Sequence, residues 1–93
     1  MLEKDLERSL SIRVKAVGGI CPKFFSPSYA GMPDRLVLLP GGRMAFVEVK
    51  RNGESSRPLQ LSRHRLLQRL GFKVYVLDDV AKIGGILDDI QAP

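Results

Sequence analysis

Cysteine is nearly missing from this 93-residue sequence: Cys21 stands alone, so no internal disulfide can form and nothing calls for an oxidising compartment. Histidine is equally scarce. One Cys and one His (His64) can build neither a structural zinc site nor a histidine-rich HNH-type centre. No apolar run approaches the roughly 20 residues that a membrane span needs, and the opening stretch from Met1 to Glu7 mixes both signs of charge without an apolar signal core. The expected location is the cytoplasm. Low-complexity tracts are lacking too, as is any repeat with a period of about 20 to 50 residues. What remains is 44% hydrophobic and 27% charged, an ordinary mix for a folded chain. Residues 1–93 have room for one domain with one thin core, burying about 60 to 65% of the surface the unfolded chain would expose.

The net charge of +5 is unevenly spread. Between Lys50 and Lys73 lie seven basic residues against one acid, Glu54, a local net of +6; the rest holds eight basic and nine acidic residues, a net of −1. A block of this kind favours a polyanion, because neutralising phosphates releases condensed counterions. It would equally serve as a solvated helix face that keeps the chain soluble.

Leu6, Leu10, Val14 and Val17 recur at steps of four and three, the period of an amphipathic helix ended by Gly18-Gly19. Ile20 to Ser26 is short, partly aromatic and bounded by Gly and Pro, and is expected to be a strand leading into the loop from Ser26 to Pro33. Arg35 to Leu39 and Met44 to Val49 read as a hairpin around Pro40-Gly41-Gly42. Both strands are apolar on both faces, as in a sheet covered on two sides. Pro58 suits the first turn of a helix running to about Leu70, with Leu59, Leu66, Leu67 and Leu70 on its apolar side and Gly71 as its stop. Phe72 to Leu77 reads as a further strand, and Asp79 to Ile90 as a closing helix interrupted near Gly84-Gly85. The expected class is α/β, in the order α-β-β-β-α-β-α: a small mixed sheet flanked by helices.

The chemistry concentrates at Pro33-Asp34 and Glu48-Val49-Lys50. Residues two apart on a strand share a face, so Glu48 and Lys50 project together. If Pro40-Gly41-Gly42 is a three-residue loop, Leu39 lies opposite Arg43 and Asp34 opposite Glu48. Gly42 can adopt the left-handed conformation such a loop ends in. A two-residue loop would move Asp34 opposite Val49 and undo the cluster. Two neighbouring carboxylates in a partly apolar sheet repel each other and call for a cation. Hard oxygen ligands suit Mg²⁺ or Mn²⁺, held at about 2.0 to 2.2 Å by one or two carboxylates, a backbone carbonyl (here Val49) and waters. Lys50 would orient or deprotonate a water, or hold a phosphate.

These pieces, after a leading helix that carries acids, resemble the PD-(D/E)xK nuclease superfamily. Lys23-Phe24 before Ser26-Pro27, then Gly31 to Arg35, Phe46 to Lys50, and Pro58-Leu59-Gln60 look more narrowly like the VRR-NUC (virus-type replication-repair nuclease) family. The likeness runs from about Glu3 to about Leu77. It implies a restriction-endonuclease-like core and Mg²⁺- or Mn²⁺-dependent hydrolysis of phosphodiesters. It further implies a stand-alone, phage- or bacterium-encoded enzyme acting as a homodimer on branched DNA such as Holliday junctions, in the host cytoplasm if phage-encoded, with no small-molecule cofactor. The resemblance makes Asp34, Glu48, Lys50 and Gln60 the catalytic set, joined by a helix glutamate. Glu3 and Glu7 both fit that role, four residues apart on one helix face, and Glu7, deeper in the helix and nearer the core, is the one favoured.

Gln60 falls in the first turn of the basic helix, where free N–H groups favour an anion. Arg51, Arg57, Arg63, His64, Lys23 and Arg35 are the candidates for contacting nucleic acid, and His64, between Arg63 and Arg65, is expected to face solvent or phosphate. The bland alternative for Asp34, Glu48 and Lys50 is a salt-bridged cluster at a sheet edge; the functional alternative is a DNA-binding or assembly module without turnover. Tyr29 would stack on a base or pack its loop.

Overall fold

The computed structural model describes residues 2–93. Helix α1 (Glu3–Ala16) places Leu6, Leu10 and Val14, at steps of four, on one fully buried stripe. Glu3 and Asp5 in its first turn and Arg13 and Lys15 in its last complement the helix dipole. Val17 lies just past the helix end and is partly exposed. The chain then turns through Gly18, at φ +89°, and passes so close to the sheet that a Cβ on Gly19 would lie 2.4 Å from the Leu38 carbonyl oxygen.

Strands β1 (Arg35–Leu39) and β2 (Arg43–Val49) form the expected hairpin, with Leu39 opposite Arg43 and Arg35 opposite Val47. Pro40–Gly42 is a single 3₁₀ turn in which both Gly41 and Gly42 take positive φ. After helix α2 (Pro58–Arg69) the chain returns as β3 (Val74–Leu77), parallel to β2. The sheet is therefore mixed, in the order β1-β2-β3, with β2 central. A 3₁₀ turn capped by Asp79 leads into α3 (Ile83–Gln91).

Strand alternation sorts the side chains by parity. Val37, Leu39, Ala45, Val47, Val49 and Leu77 face α1 and α3, and with Leu6, Leu10, Val14, Ile83, Ile86, Leu87 and Ile90 they make the core. The opposite face carries Phe46, packed edge-on to Phe24 and Phe72, and is partly covered by α2 through Leu67 and His64. The sheet is thus covered on both sides, as its two-faced apolar strands require.

Several details differ from expectation. Ile20 to Ser26 is not a regular strand: Ile20 and Lys23 make isolated bridges to Leu38 and Arg35 on the outer edge of β1. The Pro22 carbonyl accepts from Leu36 N–H, but proline has no N–H to return and the ladder breaks there. Strand β3 begins at Val74 rather than Phe72. The closing helix runs unbroken through Gly84-Gly85, held by Ile83, Ile86, Leu87 and Ile90; the irregularity precedes it, at Val80–Lys82. The buried residues of α2 are His64 and Leu67, whereas Leu59 and Leu70 are largely exposed.

Candidate active site

The three-residue turn sets the parity of the hairpin, and Asp34, one residue before β1, falls on the side of the sheet that carries Glu48. Pro33, fully buried, anchors the chain there. Asp34 lies beyond the last paired residue of β1, and its Oδ1 accepts a hydrogen bond from Val49 N–H at 3.1 Å. Glu48 ends 3% exposed on the same face, and Lys50, two residues on, is 8% exposed. Lys50 N–H donates to the Leu77 carbonyl, so the backbone there still follows the sheet although β2 has ended.

Burial is unfavourable for these acids. It is the largest cause of a Glu48 carboxyl pushed up to about 7, and Asp34 and Glu3 add to it against the opposing pull of Lys50. Asp34 is also raised, first by burial and then by Glu7, and the Val49 N–H and Arg35 only partly offset this. Glu48 Oε2 has one weak partner, Gln60 Nε2 at 3.4 Å. Glu48 Oε1 is buried with no hydrogen-bond partner, and His64 Nε2, equally orphaned, stands 3.6 Å away.

Gln60 uses both ends of its amide: Nε2 reaches Glu48, and Oε1 accepts the Arg57 N–H at 2.8 Å. It couples the start of α2 to the carboxylate. His64 belongs one turn further along the same face. It is 7% exposed, so it does not lie with Arg63 and Arg65 on a phosphate-facing surface; burial and the Lys50 charge hold its imidazole below its ordinary pKa. The signal for this was present in the spacing, since His64 follows Gln60 by four and precedes Leu67 by three.

The two helix glutamates separate. Glu7 Oε1 pairs with Arg35 Nε at 3.2 Å, while the Arg35 guanidinium also donates to the Cys21 carbonyl. Glu3 instead lies toward Glu54, Asp34 and Lys50; burial is the first cause of its raised pKa, with the neighbouring Glu54 and Asp34 adding to it. Glu54, from the loop after β2, is a member of this group that the sequence did not single out.

Of the other basic candidates, Arg51, Arg57 and Lys23 are exposed. Arg35 is committed to Glu7 and Cys21. Arg63 lies 4.2 Å over the Tyr29 ring and donates to the Ala30 carbonyl at 2.8 Å, which ties the Tyr29 loop to α2. Lys23 borders a groove lined by Lys4, Arg8 and Lys15, with Glu7 and Arg35 beside them.

The chemistry of this donor set fits a hard divalent cation of open coordination. Among the described residues no three Asp, Glu, His or Cys side chains converge to hold an ion unaided. Two carboxylates disfavoured in their charged forms, one with an orphaned oxygen, are nevertheless what a cation with several water ligands relieves.

No family model matches the chain. It is 49% identical over 76 residues, 82% of either chain, to "Putative nuclease p44" of Acyrthosiphon pisum secondary endosymbiont phage 1. Among solved structures, one titled "VRR_NUC domain" superposes with a TM-score of 0.86 at 30% identity, over 92% of this chain and 94% of its own. A second, "VRR_NUC domain protein", gives 0.74 at 15% identity over 98% and 88%, a likeness of fold alone. With its hairpin register, its Asp34 and Glu48 geometry and these relatives, the chain belongs to the VRR-NUC nuclease family.

Proposed function

We propose that this chain is a divalent-metal-dependent DNA endonuclease that cuts phosphodiesters in branched DNA as a homodimer, in the cytoplasm of the cell that carries it. The observation that supports it most is the Glu48 carboxyl, buried beside Asp34 with Oε1 unpartnered. Asp34, Glu48 and the Val49 carbonyl would hold Mg²⁺ or Mn²⁺. Such an ion supplies charge neutralisation for the phosphodiester and acidity for an attacking water.

The rest of the work falls to side chains already placed. Lys50 brings a positive charge among Glu3, Glu48 and Glu54, and it holds and polarises the scissile phosphate. Gln60 is a positioning residue, holding Glu48 Oε2 from α2, while His64 Nε2 stands 3.6 Å from the unbonded Oε1. Glu3 is the helix acid, because its charge acts on Glu48 and feels Asp34 and Lys50, whereas Glu7, though it also acts on Asp34, is paired with Arg35. Exposed Arg51, Arg57 and Lys23 contact the DNA backbone, and the groove of Lys4, Arg8 and Lys15 extends that track onto α1. No helix of the described residues is long and apolar enough to cross a membrane.

The test is cleavage of four-way junction, flap, splayed-arm and linear DNA with Mg²⁺, Mn²⁺ or EDTA, with mass measured in solution. Cutting that needs the metal and disappears in Asp34→Asn and Glu48→Gln while both variants stay folded is the expected result. Salt-sensitive binding that leaves every DNA intact under both metals would assign the chain to a binding module instead.

A further inference from the structure

Phe24 and Phe25 are adjacent, and their fates are opposite. Phe24 packs edge-on to Phe46 under the sheet, so its neighbour is turned outward, and Phe25 is 84% exposed. It contributes little to the core, yet it does not stand alone. Phe25, Met32 and Leu59 line a cleft of about 610 Å³ that also reaches Asp34 and Gln60, with Arg57 among its lining residues. The cleft adjoins the candidate site.

Its walls are held in place. Arg63 ties down the loop through the Tyr29 ring and the Ala30 carbonyl. Gly31, at φ +85°, lets that loop meet the first turn of α2 so tightly that a Cβ would come within 2.7 Å of Leu59 Cγ. A volume of this size suits a small planar ligand with an attached sugar. An aromatic wall, a cationic side chain and a floor opening onto Asp34 are together the features that recognise a nucleobase whose own phosphate lies nearby. Bases stacked inside a duplex cannot enter.

We propose that this cleft takes up an unpaired nucleobase adjacent to the scissile phosphate, stacked on Phe25, with Arg57 against the flanking backbone. The inference rests on the nuclease reading and adds to it: the enzyme selects DNA by an unstacked nucleotide at the cutting point, and any base serves, because every base has a π-face.

The test uses two DNAs identical except for one unpaired nucleotide at the cutting position. The chain has no tryptophan, so Phe25→Trp introduces a single indole at the wall that can be excited selectively over Tyr29 and Tyr75. With Mn²⁺, wild type and Phe25→Trp are expected to prefer the unpaired substrate in kcat/KM, and Phe25→Ala to lose about 10- to 100-fold of that preference. In EDTA, Phe25→Trp emission should be quenched by the unpaired DNA and far less by the paired one. An unchanged preference in Phe25→Ala, equal quenching by both DNAs, or a dimer that Phe25→Ala converts to a monomer would each overturn the proposal. If wild type cut neither DNA with any metal, the nuclease reading would fail by itself, and the metal-free fluorescence would still decide whether a base stacks on residue 25.

Discussion

Glu48→Gln, measured on protein stripped of divalent ions, tests the electrostatics of the site without requiring activity. Glu48 is 3% exposed and its carboxyl is pushed from 4.5 to about 7, mainly by burial. A carboxyl that titrates higher in the folded than in the unfolded chain binds its proton more tightly when folded. That contribution to stability is complete below pH 4.5 and is lost as pH rises through about 7. At about 1.4 kcal/mol per pH unit, the span between those values sets a ceiling of about 3 kcal/mol. Water entering from the cleft beside Asp34 and Gln60 brings this nearer to about 2 kcal/mol. For a domain of this size that is roughly 8 to 16 °C in Tm. His64 acts with the opposite sign, since its lowered pKa contributes stability above its ordinary value of 6.5 and loses it as pH falls. The comparison is therefore made between two proteins that both keep His64. In EDTA, wild type and Glu48→Gln should melt close together at pH 5. At pH 8 the variant should melt higher by that margin, and Mn²⁺ should raise wild type and leave the variant where it was. A wild-type Tm that stays level with the variant from pH 5 to 8 would refute the burial of an uncompensated carboxyl on which the site depends.

Asp34→Asn keeps an oxygen for the Val49 N–H but removes the charge, so cleavage should fall by at least about 100-fold with the melting temperature kept or raised. Glu3→Gln should depress turnover, whereas Glu7→Gln should cost about 1 kcal/mol through its pair with Arg35 and leave cleavage largely intact; steady-state rates and thermal melts on both variants separate the two roles. Gly19→Ala would drive a Cβ to 2.4 Å from the Leu38 carbonyl and should lower the urea midpoint by an amount equivalent to about 1 to 3 kcal/mol. An unchanged midpoint would mean that α1 does not leave the sheet as described.

The hairpin was legible because its register depends on a countable quantity, the three residues of Pro40-Gly41-Gly42, and on the period-two alternation that follows. The α1 stripe was legible for the same reason, at a different period. Ile20 to Ser26 misled because aromatic composition suggests a strand while a single missing N–H, at Pro22, decides how far the ladder extends. His64 was hidden by its neighbours: Arg63 and Arg65 pull the eye to a basic surface, although helical spacing puts position 64 on the inner face with Gln60 and Leu67. The pairing of Arg35 with Glu7 across 28 positions, on which the proposed preference for Glu3 rests, is a long-range fact that no local pattern contains.

Asp34 sits one residue beyond the paired end of β1, anchored behind by buried Pro33, with its Oδ1 accepting from Val49 N–H and its carbonyl from Phe24 N–H. A strand terminus ordinarily frays, and here the proline ring restrains that opening without taking part in the ladder. The carboxylate is therefore held from outside the ladder, whereas Glu48 is held from within β2. Loosening Pro33 would displace Asp34 and leave Glu48 where it is.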